Sequence, residues 1–205
     1  MSEPWIHHPT ILRGETVDLI PLEKENFEEL YVAAADKKVW EFIPTDGSVK
    51  EKFYEMYNFA LAERDKGIHY PFIIYHKEKK KFIGSTRLFD IVQKDKKLEI
   101  GWTWLTADYW GTAINFECKL LLLTFCFEVL KANRVQIKTD ETNLRSRKAI
   151  EKIGGVFEGI LRKDRIRDNG IIRNTAYYSI INTEWETAKE KIKKQLEERR
   201  RKHSY

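Results

Sequence analysis

Between Asn115 and Leu130 the chain is apolar almost all the way round. Phe116, Leu120, Leu121, Leu122, Leu123, Phe125, Cys126, Phe127, Val129 and Leu130 cover most of a helical surface. A helix of that kind is covered on most sides, by lipid or by the rest of a protein. Its longest uncharged run, Leu120 to Phe127, is far shorter than the ~20 residues that span a bilayer. The segment therefore reads as the buried helix of a layered globular fold. The N-terminus, MSEPWIHHPT, lacks the basic-then-apolar build of a signal peptide, so a cytoplasmic location is expected.

The segments around this helix supply the layers. Ile11 to Leu22 alternates around Val17 and Leu19 and reads as one strand, closed by Pro21. Two helices follow, Lys24 to Asp36 and a second from the N-cap Ser48 to Gly67, separated by the aromatic loop Trp40 to Pro44. Tyr70 to Tyr75, Phe82 to Ile91 and Leu98 to Leu105 form an antiparallel meander across polar turns. After the apolar helix come a strand at Arg134 to Thr139 and a helix at Asn143 to Ile153 that ends at Gly154-Gly155. Strands at Val156 to Arg162 and Ile171 to Ile181 lead to a C-terminal helix with Trp185, Ala188, Ile192 and Leu196 on one stripe. The pattern predicts one α/β domain: a single mixed, mostly antiparallel sheet of about seven strands flanked by helices. Residues 1–184 are expected to form the domain and 185–205 a charged helix packed on it or extending from it.

Charge and cysteine content narrow the function classes. Lysine and arginine number 37 against 32 acidic residues, a net charge of +5. From Glu184 onward eight basic residues face five acidic ones, so most of the surplus sits in the last helix. A body that tracks nucleic-acid phosphates would carry its positive charge on the domain itself, so a nucleic-acid partner is not expected. Cys118 and Cys126, on one helix, would stand ~12 Å apart, too far for a disulfide. The five histidines show no metal-ligand spacing, and no metal is expected. Nothing in the pattern decides between a monomer and a homodimer.

The stretch Thr103 to Glu117 joins a strand end, a turn with Gly111 and the start of the apolar helix. A helix start presents unpaired N–H groups and partial positive charge, which suit a phosphate, although one glycine before a helix is also an ordinary turn. A second helix opens the same way after a strand at Asn143-Leu-Arg-Ser146, with Asn143 as the cap.

Taken in order, several pieces resemble the GCN5-related N-acetyltransferase (GNAT) superfamily, in the branch related to the ribosomal-protein N-terminal acetyltransferases RimJ and RimL. They are Ile83-Gly-Ser-Thr-Arg-Leu, Glu99-Ile-Gly-Trp-Thr-Trp, Tyr109-Trp-Gly-Thr, Lys138 to Ser146, Ala149-Ile-Glu-Lys-Ile-Gly154 and Phe157-Glu-Gly-Ile-Leu-Arg162. The resemblance implies the acyl-CoA N-acyltransferase fold and acetyl-CoA as co-substrate. Its loop pattern falls on Trp110, Gly111, Thr112, Ala113, Ile114 and Asn115, whose backbone N–H groups would hold the coenzyme pyrophosphate. Ala113 stands where glycine is usual, and its methyl would be strained if φ there were positive. Asn115 stands where glycine or alanine is usual, though relatives in this branch often carry Asn.

By the same resemblance, Trp104, Leu105 and Thr106 lie at the strand end beside the acetyl group and pantetheine, and Asn143 bonds the pantetheine amide. Acetyl transfer to an amine needs a neutral nitrogen, a stabilised oxyanion and a protonated leaving thiolate. Ser146 is the candidate for the last role. Glu99 is the candidate base, with Asp164 second; an exposed strand Glu paired with Lys or Arg is the competing reading. Trp40, Arg87, Trp102 and Tyr177 are candidates for the acceptor cleft, each with a core or cross-strand alternative. The implied acceptor is a primary amine, on a protein N-terminus or a small molecule. A non-catalytic acyl-CoA-binding protein of the same fold is the alternative.

Overall fold

The computed structural model describes residues 3–202. Its eight strands are β1 (Leu12–Arg13), β2 (Val17–Pro21), β3 (Tyr70–His76), β4 (Lys81–Val92), β5 (Lys97–Leu105), β6 (Arg134–Asp140), β7 (Val156–Ile166) and β8 (Ile172–Ile181). The α-helices are α1 (Phe27–Ala34), α2 (Lys50–Asp65), α3 (Ile114–Thr124), α4 (Leu144–Lys152) and α5 (Trp185–Lys202). All strands join one sheet in the order β1-β2-β3-β4-β5-β6-β8-β7. Every neighbouring pair is antiparallel except β5–β6, which is parallel. Among the described residues no helix is long and apolar enough to cross a membrane.

The mixed sheet and its helices follow the sequence pattern, with one strand more than expected. Ile11 to Leu22 is not a single strand: Leu12 pairs with Leu19 and Arg13 with Asp18, so the segment turns back on itself. The Asp18 carboxylate accepts the Gly14 N–H at 3.0 Å, holding that turn. Helix α2 begins at Lys50 with Val49 at the cap position, not at Ser48. The Ser48 hydroxyl instead donates to Asp46 at 2.6 Å, within the preceding loop. The long apolar helix also divides, because after Thr124 it widens into a π-helical turn, Phe125–Val129, where Leu130 N–H bonds Phe125 O at 3.0 Å.

Two cores lie on opposite faces of the sheet. The larger joins β2–β6 and β8 to α3, α4 and α5. The smaller joins the other face to α1 and α2 through Phe27, Leu30, Phe53, Tyr57, Ile73 and Trp104. Cys118 and Cys126 are buried free thiols in the larger core, and burial pushes Cys118 up to about 12. The α5 stripe docks on its own domain: Trp185, Ala188, Ile192 and Leu196 are all buried. Trp185 stacks on Phe127 at 5.3 Å and donates its indole N–H to Glu128 at 2.8 Å. Gly154, after α4, has φ +93°, and a side chain there would meet the Ala188 methyl at 2.8 Å. Glycine thus both turns the chain and lets α5 pass.

Candidate active site

The sheet opens at its one parallel pair. Strands β5 and β6 stay in register from Lys97↔Arg134 to Ile100↔Ile137 and then part. Beyond that point β5 pairs only with β4, through Gly101↔Arg87, Trp104↔Ser85 and Leu105↔Gly84, while β6 continues along β8. The cause is local. Between Gly101 and Trp104 strand β5 carries one residue more than β4, and Trp102 takes a left-handed φ of 50°. A bulge of this kind bends the strand away from its neighbour. The facing edges of Trp102–Leu105 and Lys138–Asp140 are thereby freed from pairing with each other.

Each lip of this gap leads to a helix start. After β5, a turn at Ala107–Tyr109 delivers the chain to Gly111, where φ is +74°, and then to α3. The backbone there needs a glycine. Ala113, in contrast, has φ −69° and ψ −21°, so the strain expected for its methyl is absent. Thr112 donates its hydroxyl to Tyr109 O at 2.8 Å and accepts Ile114 N–H at 3.3 Å, which shapes the loop from within. Trp110 is fixed by its indole bond to Leu105 O at 2.9 Å, with the Arg145 guanidinium 4.1 Å above its ring. Asn115 is half-buried in the first turn of α3. Arg199, near the end of α5, donates to Gly111 O.

After β6, Asn143 caps α4 as its spacing suggests, accepting Ser146 N–H at 3.0 Å. Asn143 is buried and its carbonyl is used in this bond; Ser146 is half-buried one turn inside. The side chains of Trp104, Leu105 and Ile114 lie in the cores, so these three can offer a ligand only their backbone. Thr106 is half-buried and its N–H is spent on Ile83 O at 2.9 Å.

On the α1/α2 face, Glu99 is paired with a lysine, as the competing reading has it, but is 2% exposed and not on the surface. It bonds Lys138 Nζ at 2.7 Å and accepts Gln136 Nε2 at 2.7 Å. Burial pushes its carboxyl above the usual range, against the pull of Lys138. Burial alone would lower Lys138, but the pair with Glu99 outweighs it and the ammonium is held. The rings of Tyr177 and Phe89 stand 5.2 and 5.7 Å from Lys138 Nζ. Tyr177 therefore joins the Glu99 cluster. Gln136 and Lys138 were not singled out in the sequence, although their alternate spacing on β6 puts them on one face. Asp164, the second candidate base, lies on β7, separated from β5 by β6 and β8, beside Arg165 at 3.9 Å.

The remaining cleft candidates are unequal. Trp40 is buried, spends its indole N–H on Ala34 O at 2.7 Å and packs its ring 5.4 Å from Trp104. It still borders a cavity of about 320 Å³ between the Lys37–Asp46 segment and the β7–β8 turn. Asp168 ties that turn to Lys52 at 2.6 Å and, through its N–H, to Pro44 O at 3.1 Å. Arg87 and Trp102 come together, the guanidinium carbon 5.0 Å from the indole centre.

Comparison with known proteins agrees with this geometry. A family model described as "Acetyltransferase (GNAT) domain" matches residues 17–156. The chain is 36% identical over 106 residues to a Bacillus subtilis protein named "Putative ribosomal N-acetyltransferase YdaF", a match covering 52% of this chain and 57% of that one. A solved structure from T. thermophilus, described as a "putative acetyltransferase", is 31% identical, covers 93% of this chain and 99% of that one, and superposes with a TM-score of 0.81. The spermidine N-acetyltransferase from Vibrio cholerae, solved with CoA and spermine, is 15% identical, covers 84% of this chain and 99% of that one, and shares the fold at a TM-score of 0.69. The splayed sheet, the two helix starts at its lips and these matches lead to one conclusion: the chain belongs to the acetyltransferase (GNAT) family, the acetyl-CoA-dependent acyltransferases.

Proposed function

We propose that this chain transfers the acetyl group of acetyl-CoA to a primary amine, by direct attack of the nitrogen on the thioester. The acceptor is a protein N-terminus or a small-molecule amine. The observation that carries this reading is the gap between β5 and β6, with two helix starts on one side and the buried Glu99–Lys138 pair on the other. The residues present fit the coenzyme. Within the loop from Trp110 to Asn115, the N–H groups of Gly111, Ala113 and Asn115 are the ones offered to the pyrophosphate, and Gly111 lets the backbone come close. The freed edge of β5 offers donors to pantetheine and to the carbonyl oxygen as negative charge develops there.

Glu99 acts as the base, directly or through water, taking the proton that the amine loses as the N–C bond forms. Burial suits it to that task, since a raised carboxyl holds a proton more readily at neutral pH than an exposed one. Ser146 protonates the departing thiolate from the first turn of α4 and recovers its proton from solvent. The name of the YdaF relative adds a ribosomal protein to the possible acceptors.

The test combines thermal shift with acetyl-CoA and thiol release in the presence of an amine panel. Acetyl-CoA at about 100 times its dissociation constant should stabilise the fold by ~2.7 kcal/mol. Glu99→Gln should lower kcat by ~10²-fold with coenzyme binding retained. Coenzyme binding with no turnover of any amine would make the chain a non-catalytic acyl-CoA-binding protein. No binding at millimolar ligand would remove the enzyme reading itself.

A further inference from the structure

Arg87 lies near the middle of the sheet and is 2% exposed. Its guanidinium carbon stands 5.0 Å from the Trp102 ring centre and 5.8 Å from that of Tyr57. Its Nε and Nη2 are sealed from solvent and reach no acceptor among the described residues. Aromatic faces attract the charge, but they do not supply the directed acceptors that a guanidinium's in-plane N–H groups require. A buried cation left in that state is costly, so folds normally match it with a carboxylate. Here burial draws the guanidinium down to about 10, and the Tyr57 hydroxyl alone opposes it.

Nearby groups do not fill the role. Glu99 is committed to Lys138 and Gln136. His69, which flanks Phe89 at 5.8 Å, has a sealed Nδ1 that likewise lacks a partner among the described residues. Burial first and Arg87 second hold this imidazole down to about 4, so it is neutral beside the cation. The counter-charge for Arg87 is therefore not supplied among the described residues.

We propose that Arg87 receives a carboxylate carried by the acceptor amine, so that the substrates are amino acids or similar molecules with an acid group a few bonds from the nucleophilic nitrogen. This rests on the acetyltransferase reading and narrows it. Arg87 stands opposite Gly101 in the β4–β5 ladder, and Gly101 is the first residue of β5 beyond its register with β6. Glu99 is two residues earlier on the same face. An amine at Glu99 and a carboxylate at Arg87 are then separated by one strand spacing, ~5 Å, and one two-residue step, ~7 Å. A single small molecule spans that distance. Arg87 belongs to the face that carries Glu99, Tyr57 and α2, not to the face of α3, which assigns the acid to the acceptor and not to the acyl donor. Trp102, half-buried in the bulge, is the side chain that turns aside to admit it. A polyamine would bring its cations against both Arg87 and Lys138.

Calorimetric titration of the CoA-loaded protein tests this without relying on turnover. The ligands are α-amino acids, β-alanine and 4-aminobutyrate, each paired with its carboxamide. At least one acid should bind about tenfold or more tighter than its carboxamide, and Arg87→Gln should erase that preference while CoA affinity stays within about twofold. No preference for any acid, or a preference that survives Arg87→Gln, overturns the proposal. Succinyl-CoA binding about tenfold tighter than acetyl-CoA, dependent on Arg87, would move the carboxylate to the donor and overturn the assignment to the acceptor. Loss of CoA binding with Arg87-dependent binding of acids intact would sink the acetyltransferase reading and leave the receptor standing. Arg87→Met, which keeps the length and removes the charge, should melt no lower than the parent. A clear fall in its melting temperature would mark the arginine as structural and overturn the proposal.

Discussion

The Glu99 carboxylate sits between two opposed influences, burial that favours its protonated form and the Lys138 ammonium 2.7 Å away that favours its charged form. Burial wins, so the pH at which it becomes a base lies above its ordinary 4.5. Acetylation rate at low acceptor should therefore rise with pH through a midpoint above that value. Lys138→Gln keeps a donor but removes the charge that draws the proton off. The midpoint should then move to higher pH. If the midpoint stays where it was, some group other than Glu99 governs the reaction. The prediction concerns the pair and not one residue, since two groups this close titrate together.

At the scale of elements, the loop before α3 has one position that needs glycine and one that does not. Gly111 occupies φ +74°, where a methyl costs ~1–2 kcal/mol. Ala113 occupies φ −69°, where a methyl costs nothing in the backbone. Gly111→Ala should weaken acetyl-CoA binding by roughly tenfold, as the loop shifts to relieve the strain. Ala113→Gly should change it by no more than about twofold. A tenfold gain from Ala113→Gly would instead mean that the methyl crowds the pyrophosphate. Much of this level was legible in the sequence, because helix periodicity, caps and turn residues are local. Asn143 as a cap and the α5 stripe Trp185, Ala188, Ile192, Leu196 emerge as read. The β1–β2 turn did not, because alternation around Val17 and Leu19 carries no mark of where a strand folds back. Nor did the bulge, since a tryptophan gives no signal for the left-handed φ of Trp102.

At the scale of the molecule, contacts between distant strands decide what local pattern cannot. Gln136 and Lys138 reach Glu99 only because β5 and β6 run parallel across a connection that includes α3. Nothing near Glu99 in the chain announces them. Long-range packing also gives the fold a pH response. Burial, assisted by Arg87 and opposed by Glu63 and Asp90, holds His69 at about 4 in the folded state, against 6.5 in the unfolded chain. A depressed value means that the unfolded chain takes up a proton that the folded one refuses. The stability linked to His69 is therefore present above pH 6.5 and is lost as pH falls toward about 4. Urea midpoints measured at about pH 7.5 and about pH 4.5 should fall less in His69→Gln than in the parent. Equal falls would assign the acid sensitivity to carboxylates alone.

The end of α5 has a consequence for how the protein is made. Arg199 bonds the carbonyl of Gly111, and Arg200 reaches Glu15 at 2.6 Å and Glu117 at 3.2 Å. The last turn of α5 thus fastens together the β1–β2 turn, the start of α3 and the loop beside it. During synthesis the strands and α3 emerge long before those arginines do. The mouth of the cleft stays unfastened until translation has passed residue 200, so the coenzyme loop is fixed only when the last helix is complete and docked.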